Sequence, residues 1–261
     1  MNNHFKYALS KYTYWFTGFA TIIGVIAIVP VCTPITISIV IACFILPLII
    51  PLIVSYIKNE FRIKTIGHSR VTVAFGDLFD EECFVITTNR NFDVNPDGKY
   101  VAENSVLGLF VQRFFPNDID ELEKLISSQL SLNENGDIIP EKYGKTINVS
   151  IHNKLVYFMA FTDREKSKQP NDFYLKSMRA FLKELSKANH GKIISIPLIG
   201  NNNNLSDTGF HSSEMTFESL ITMINEFEIE NPKSELKLKI VVLPENRADI
   251  IKSIALHTRR I

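Results

Sequence analysis

The first 59 residues contain no acidic side chain: all 28 Asp and Glu residues follow Ile57. Between Tyr12 and Ile57 there is also no Lys, Arg or His. Ile, Val, Leu, Phe and Ala dominate this block, which is more than twice the about 20 apolar residues one membrane helix needs. The chain has only three cysteines, Cys32, Cys43 and Cys83, and no Cys-x-x-Cys pair. A disulfide scaffold is therefore excluded as an organising device, and the scattered histidines offer no metal-ligand spacing. Formal net charge is zero. No basic surface is available to follow a phosphate backbone, so nucleic acid is not an expected partner.

The uncharged block has the length of two spans. Pro30 and Pro34 divide it, because proline removes an amide and clashes with the preceding turn. The first run extends from Tyr14 to Val29 and the second from Ile35 to Ile57. The short link predicts an antiparallel hairpin. Pro47 and Pro51 are expected to kink the second span, as prolines in membrane helices do. Lys6 and Lys11 precede the block, and Lys58, Arg62 and Lys64 follow it. Basic flanks favour the cytoplasm, which places both ends there. Tyr12, Tyr14, Trp15 and Tyr56 occupy interfacial positions. The expected layout is a cytoplasmic segment 1–11, two transmembrane helices in 12–57, a linker 58–70 and one globular domain from 71 to 261.

In that domain, short apolar runs alternate with helical patterns, the signature of an α/β fold. Strands are expected at 71–75, 83–88, 147–151, 155–161, 193–198 and 238–243. Helices are expected at 118–130, capped by Asn117 or Asp118, and at 172–188, 214–227 and 246–256. Leu175, Met178, Phe181, Leu182 and Leu185 form the apolar stripe of the second of these. Polar stretches at 91–98 and 133–145 read as surface loops or a hairpin. Cys83, inside an apolar run, reads as core.

Sheets of this class bind ligands in the loops after the strands' carboxyl ends. Three such loops stand out. Gly76-Asp77-Leu78-Phe79 follows the first strand, and an Asp there can accept a hydrogen bond from an exocyclic amine or simply cap a turn. The second strand ends at Asn89, and Ser105-Val106-Leu107-Gly108-Leu109 then opens a helix. Amides at a helix start bind phosphate without any basic side chain. The third loop runs from Ile196-Pro197-Leu198-Ile199-Gly200 through Asn201 and Asn202 to Gly209-Phe210. Gly and Asn there allow successive amides to converge on one anion.

In order and spacing these segments resemble the macro domain, the three-layer α/β/α fold with a mixed sheet that binds ADP-ribose and its derivatives. Gly76-Asp77-Leu78-Phe79 is similar to that family's adenine element, and Val85-Ile86-Thr87-Thr88-Asn89 stands where the family has Val-Asn-Ala-Ala-Asn. Ser105 to Leu109 resembles the first phosphate loop, and Gly200 to Phe210 the second. The resemblance implies ligand contacts by Asp77, Leu78, Asn89, Ser105, Val106, Leu107, Gly108, Leu109, Gly200, Asn201, Asn202, Gly209 and Phe210. The chain departs from the pattern where Ile86 replaces the first Asn and Glu103-Asn104-Ser105 replaces a glycine run. Those departures bear on hydrolysis more than on binding.

A two-span hairpin joined to a divergent macro domain resembles the membrane-bound effectors of Thoeris anti-phage defence, second type. That resemblance implies a cell inner-membrane protein with its macro domain in the cytoplasm. Its ligand would be an ADP-ribose derivative, such as a histidine conjugate, made by a partner with a TIR (Toll/interleukin-receptor) domain. Assembly into a homo-oligomer and disruption of the bilayer would follow, causing abortive infection. No catalytic residue, metal or cofactor is expected on this reading. The alternative is a membrane-tethered ADP-ribosyl hydrolase, for which Asp93 and Glu103 lie close to Asn89 in sequence.

Overall fold

The computed structural model describes residues 60–96, 99–164, 172–188, 191–200 and 212–258. The expected transmembrane hairpin lies outside these residues. No helix among the described residues is long and apolar enough to cross a membrane.

One seven-stranded mixed sheet organises the domain. Its strands are β1 (Glu60–Ile63), β2 (Arg70–Phe75), β3 (Cys83–Asn89), β4 (Thr146–Ile151), β5 (Lys154–Thr162), β6 (Ile194–Ile196) and β7 (Lys237–Val242). The spatial order is β1-β2-β7-β6-β3-β5-β4. The five inner strands are mutually parallel, while β1 and β4 run antiparallel at the two edges. Central β3 carries Phe84, Val85 and Ile86 in succession, all without solvent exposure. Such an unbroken apolar run is what a strand covered on both faces requires.

The helices are α1 (Val106–Phe114), α2 (Ile119–Ser127), α3 (Phe173–Ala188), α4 (Ser213–Glu230) and α5 (Arg247–His257). They divide between the two faces. Helices α3, α4 and α5 share one core with Val71, Val73, Leu238, Ile240, Ile194 and Ile196. Helices α1 and α2 share the other with Phe84, Ile86, Phe158, Val149 and Val241. Alternate residues of one strand therefore feed opposite cores, as the two-residue period dictates. Phe110 of α1 lies within 5.8–6.1 Å of the Phe84, Phe115 and Phe158 rings.

Three expectations change. Residues 58–70 are not merely a linker, because Glu60–Ile63 pairs along the whole of its length with β2. Phe61 and Ile63 are buried beneath it. The run is too short and too interrupted by charge to signal a strand, and its partner supplies the missing order. Second, Leu175 is 47% exposed. The buried stripe of α3 instead runs through Tyr174, Ser177, Met178, Phe181, Leu182 and Leu185. Leu175 sits one residue, about 100°, off that stripe. Third, β6 is confined to Ile194–Ile196, and Ile193 is exposed. Elsewhere the expected caps form: Asp118 accepts from the Glu121 amide at the start of α2.

Candidate functional site

The chain leaves β3 for the α1 face of the sheet and leaves β6 for the α4 face. These two strands are neighbours. Where adjacent parallel strands send their connections to opposite faces, a crevice opens beyond their carboxyl ends. A cavity of about 540 Å³ occupies this crevice, a size usual for a small-ligand site. Its floor is the end of β3 (Thr87, Thr88, Asn89) and of β5 (Phe161, Thr162). Its walls are the start of α1 (Ser105, Val106, Leu107) and the turn Pro197-Leu198-Ile199-Gly200 after β6.

Helix α1 is aimed into the cavity by its cap. Ser105 Oγ accepts from the Gly108 amide at 3.0 Å and donates to the Ala102 carbonyl at 2.6 Å. The first turn of a helix has amides with no intrahelical partner. With Gly108 committed to the cap, the Val106 and Leu107 amides remain to meet a ligand, at the positive end of the helix dipole. Gly108 admits no larger residue here. A Cβ would lie 2.4 Å from the Ala102 carbonyl oxygen and 2.5 Å from that of Glu103. The preceding loop is thus pressed directly onto the helix backbone. On the opposite wall Gly200 adopts φ +94°, a left-handed conformation suited to glycine.

Asn89 builds the adjoining loop. Its Oδ1 accepts from the amides of Asn91 at 3.1 Å and Asp93 at 3.2 Å, and its Nδ2 donates to Asp93 Oδ2 at 2.7 Å. The turn it closes holds Phe92 at φ +54°, uncommon for an aromatic residue. Phe92 is fully buried, so packing sustains that conformation.

Each carboxylate in the cavity is paired with an arginine. Arg164 grips Asp93 through both Nε (2.6 Å) and Nη2 (2.5 Å), and these hydrogen bonds raise its pKa above the ordinary arginine value. The Arg164 guanidinium also lies 5.1 Å from the Tyr100 ring centre, within cation–π range. Asp163 pairs with Arg90 at 2.9 Å and accepts a short hydrogen bond from the Tyr143 hydroxyl. Burial, then that bond, pushes the Tyr143 pKa up to about 12.

Of the expected site residues, Asn89, Ser105, Val106, Leu107 and Gly200 come together around this cavity. Gly108 lies just behind the wall as its packing point, and Leu109 is half exposed on the next turn. Asp77 and Leu78 do not line the cavity. Asp77 caps a short 3-10 turn through the Phe79 amide, its other oxygen meets Arg113 at 2.5 Å, and Leu78 is buried in the core. Asn201, Asn202, Gly209 and Phe210 fall outside the described residues. Sequence reasoning did not assign Lys99, Tyr100, Asp163 and Arg164, all of which line the cavity. Asp163 and Arg164 directly follow β5, so the carboxyl-end rule applied to that strand would have found them. Among the described residues no group of His, Cys, Asp and Glu could hold a metal ion.

The family described as "Thoeris protein ThsA, Macro domain" matches residues 71–243. No curated protein matches the chain. Solved structures of an Oceanobacillus iheyensis macrodomain are similar in fold. One mutant of it has 16% identity and a TM-score of 0.51, covering 76% of this chain and 96% of that one. The same macrodomain with MES bound has 16% identity and a TM-score of 0.50, covering 75% and 94%.

Proposed function

The chain belongs to the Thoeris protein ThsA macro-domain family, and on that premise we propose that it is an anti-phage sensor–effector whose cavity binds an ADP-ribose-derived nucleotide. The observation that carries the proposal is the convergence of the α1 start and the Gly200 turn on one cavity. The start of a helix favours the negative charge of a diphosphate, and a left-handed glycine on the facing wall lets the ligand approach the backbone closely. Lys99 and Tyr100 also line the cavity and would meet the part of the ligand beyond the diphosphate.

The signal would come from a partner with a TIR domain, a histidine conjugate of ADP-ribose being the expected form. Ligand binding would favour an assembled state through its higher affinity for that state. The uncharged block 12–57 would span the inner membrane twice and act on it once the cytoplasmic domains assemble. Block length and basic flanks support that part of the reading.

Binding is favoured over hydrolysis by the state of the cavity's carboxylates. Asp93 is held by Arg164, and Asp163 by Arg90 and Tyr143. A general base must be able to reach a proton on the substrate or an attacking water, and both carboxylates are engaged elsewhere.

Isothermal titration of the full chain in detergent with ADP-ribose and with its histidine conjugate tests the proposal. Saturable heat with one or both ligands, recovered unchanged by chromatography, is the expected result. No heat with either would overturn it, and release of free ADP-ribose from the conjugate would establish the hydrolase instead.

A further inference from the structure

On the reading that residues 12–57 span the bilayer, we infer that the ligand cavity opens on the pole of the domain that lies against the lipid headgroups. The strand register carries this. β1 is antiparallel to β2, with Glu60 opposite Ala74 and Ile63 opposite Val71. Ala74 in turn lies opposite Val241 in parallel β7. The chain therefore enters the domain at the carboxyl ends of the parallel strands. The cavity is built at those same ends, by β3, β5 and the turn after β6. The far pole holds the chain's last described segment: Thr258 bridges to Ile63, and the Lys64 amide donates to the His257 carbonyl at 2.7 Å.

Covalent reach keeps this pole near the bilayer. The uncharged block ends at Ile57 and β1 begins at Glu60. Three Cα–Cα steps span at most about 11 Å. With the strands upright on the bilayer, the six residues of β2 put the far pole about 20 Å further away. Across the sheet, β7, β2 and β6 separate β1 from β3, a lateral offset of about 19 Å at the usual strand spacing. The cavity thus overlies the membrane surface beside the anchor.

The chemistry of this pole suits that neighbour. Leu243, directly after β7, and Tyr100 at the cavity rim are both exposed. Several ionic groups there are paired, Asp77 with Arg113, Asp93 with Arg164 and Glu60 with Lys239, and the exposed Lys99 and Glu245 add one charge of each sign. Charges of the two signs that offset one another neither strongly draw this pole to anionic headgroups nor repel it, so the tether and register set the facing direction.

The test uses the full chain in phosphatidylcholine–phosphatidylglycerol vesicles containing lipid spin-labelled at the headgroup. Cys32 and Cys43 are replaced by alanine. Cys83 is buried and burial pushes its thiol pKa up to about 11, so it takes up no maleimide dye. One dye is placed at Leu243→Cys on the cavity pole and, in a separate chain, at Ile66→Cys on the far pole. Glu245→Cys and His68→Cys, also exposed, repeat the comparison should either first variant misfold. Loss of fluorescence from the Leu243 and Glu245 positions, with little from Ile66 and His68, is expected. Equal loss from the two poles, or greater loss from the far pole, would overturn the inference. Flotation on a density gradient is run on the same vesicles. Protein that fails to float removes the membrane reading and this inference with it, whereas protein that floats with the far pole quenched removes only the facing direction.

Discussion

Asp77 shows how one side chain can serve two partners. One carboxylate oxygen caps the turn at Phe79 and the other meets Arg113. A carboxylate has about four acceptor sites, so two remain for an exocyclic amine. Asp77 is not part of the cavity lining, but the resemblance to the adenine element implies that an adenine extending past that lining would meet these sites. Asp77→Ala is therefore expected to weaken ADP-ribose binding by about 1–3 kcal/mol, the cost of a lost hydrogen bond to a charged group. Calorimetry decides: unchanged affinity in a folded variant removes Asp77 from the site. Tyr143 makes a prediction in pH. Its folded pKa of about 12 lies above the ordinary value of 10.0. The folded state therefore keeps a proton that the unfolded chain loses first. Its contribution to stability is complete below pH 10 and disappears as the pH rises towards about 12. Urea unfolding midpoints of the wild type should fall more steeply over that window than those of Tyr143→Phe. Parallel curves would show that neither burial nor the Asp163 contact shifts this group. Asp163 and Arg164 were legible only through the strand that precedes them, since two common charged residues carry no pattern of their own. Asn89 was legible in itself, because it closes the segment that resembles the family's Val-Asn-Ala-Ala-Asn.

Among the elements, β1 matters most for what constitutes the domain. Phe61 and Ile63 each retain 2% exposure, although the strand has only four residues. Removing them strips two large side chains from the core formed with α3, α4 and α5. A fragment starting at residue 65 should therefore unfold at a markedly lower temperature than one starting at residue 60, because truncating one buried Phe alone costs about 3–5 kcal/mol. Identical melting curves would show that β1 is peripheral. The remaining strands and all the helices expected from apolar periodicity are present, with ends shifted by a few residues. Periodicity reports which face is buried, and that is a property of local sequence. Strand β1 lacks such a signal because its order comes from pairing with β2, a segment it meets only after the chain turns back. Helix α1 lies between these cases. Ser105 announced its cap, but the pressing of loop 102–103 on Gly108 depends on where that loop returns.

For the whole molecule, the central expectation is a division of labour between a cytoplasmic sensor and a membrane output. Deleting residues 1–59 should leave ADP-ribose affinity within a factor of about two, below the 1.4 kcal/mol of a tenfold change, and should abolish membrane leakage in cells that supply the signal. Leakage that persists without the block would place the output in the domain itself. The sequence by itself determined the alternation of strands and helices, the family, and the uncharged block, because hydrophobic period and charge exclusion are written residue by residue. Only the tertiary structure decided which ends of which strands meet, that Asn89, Arg164 and Ser105 share one cavity, and that the chain enters the domain at the pole where that cavity opens. Those are relations between segments far apart in the chain, set by strand order and register. The uncharged block that has no acid before Glu60 is thereby joined to a site it never touches in sequence.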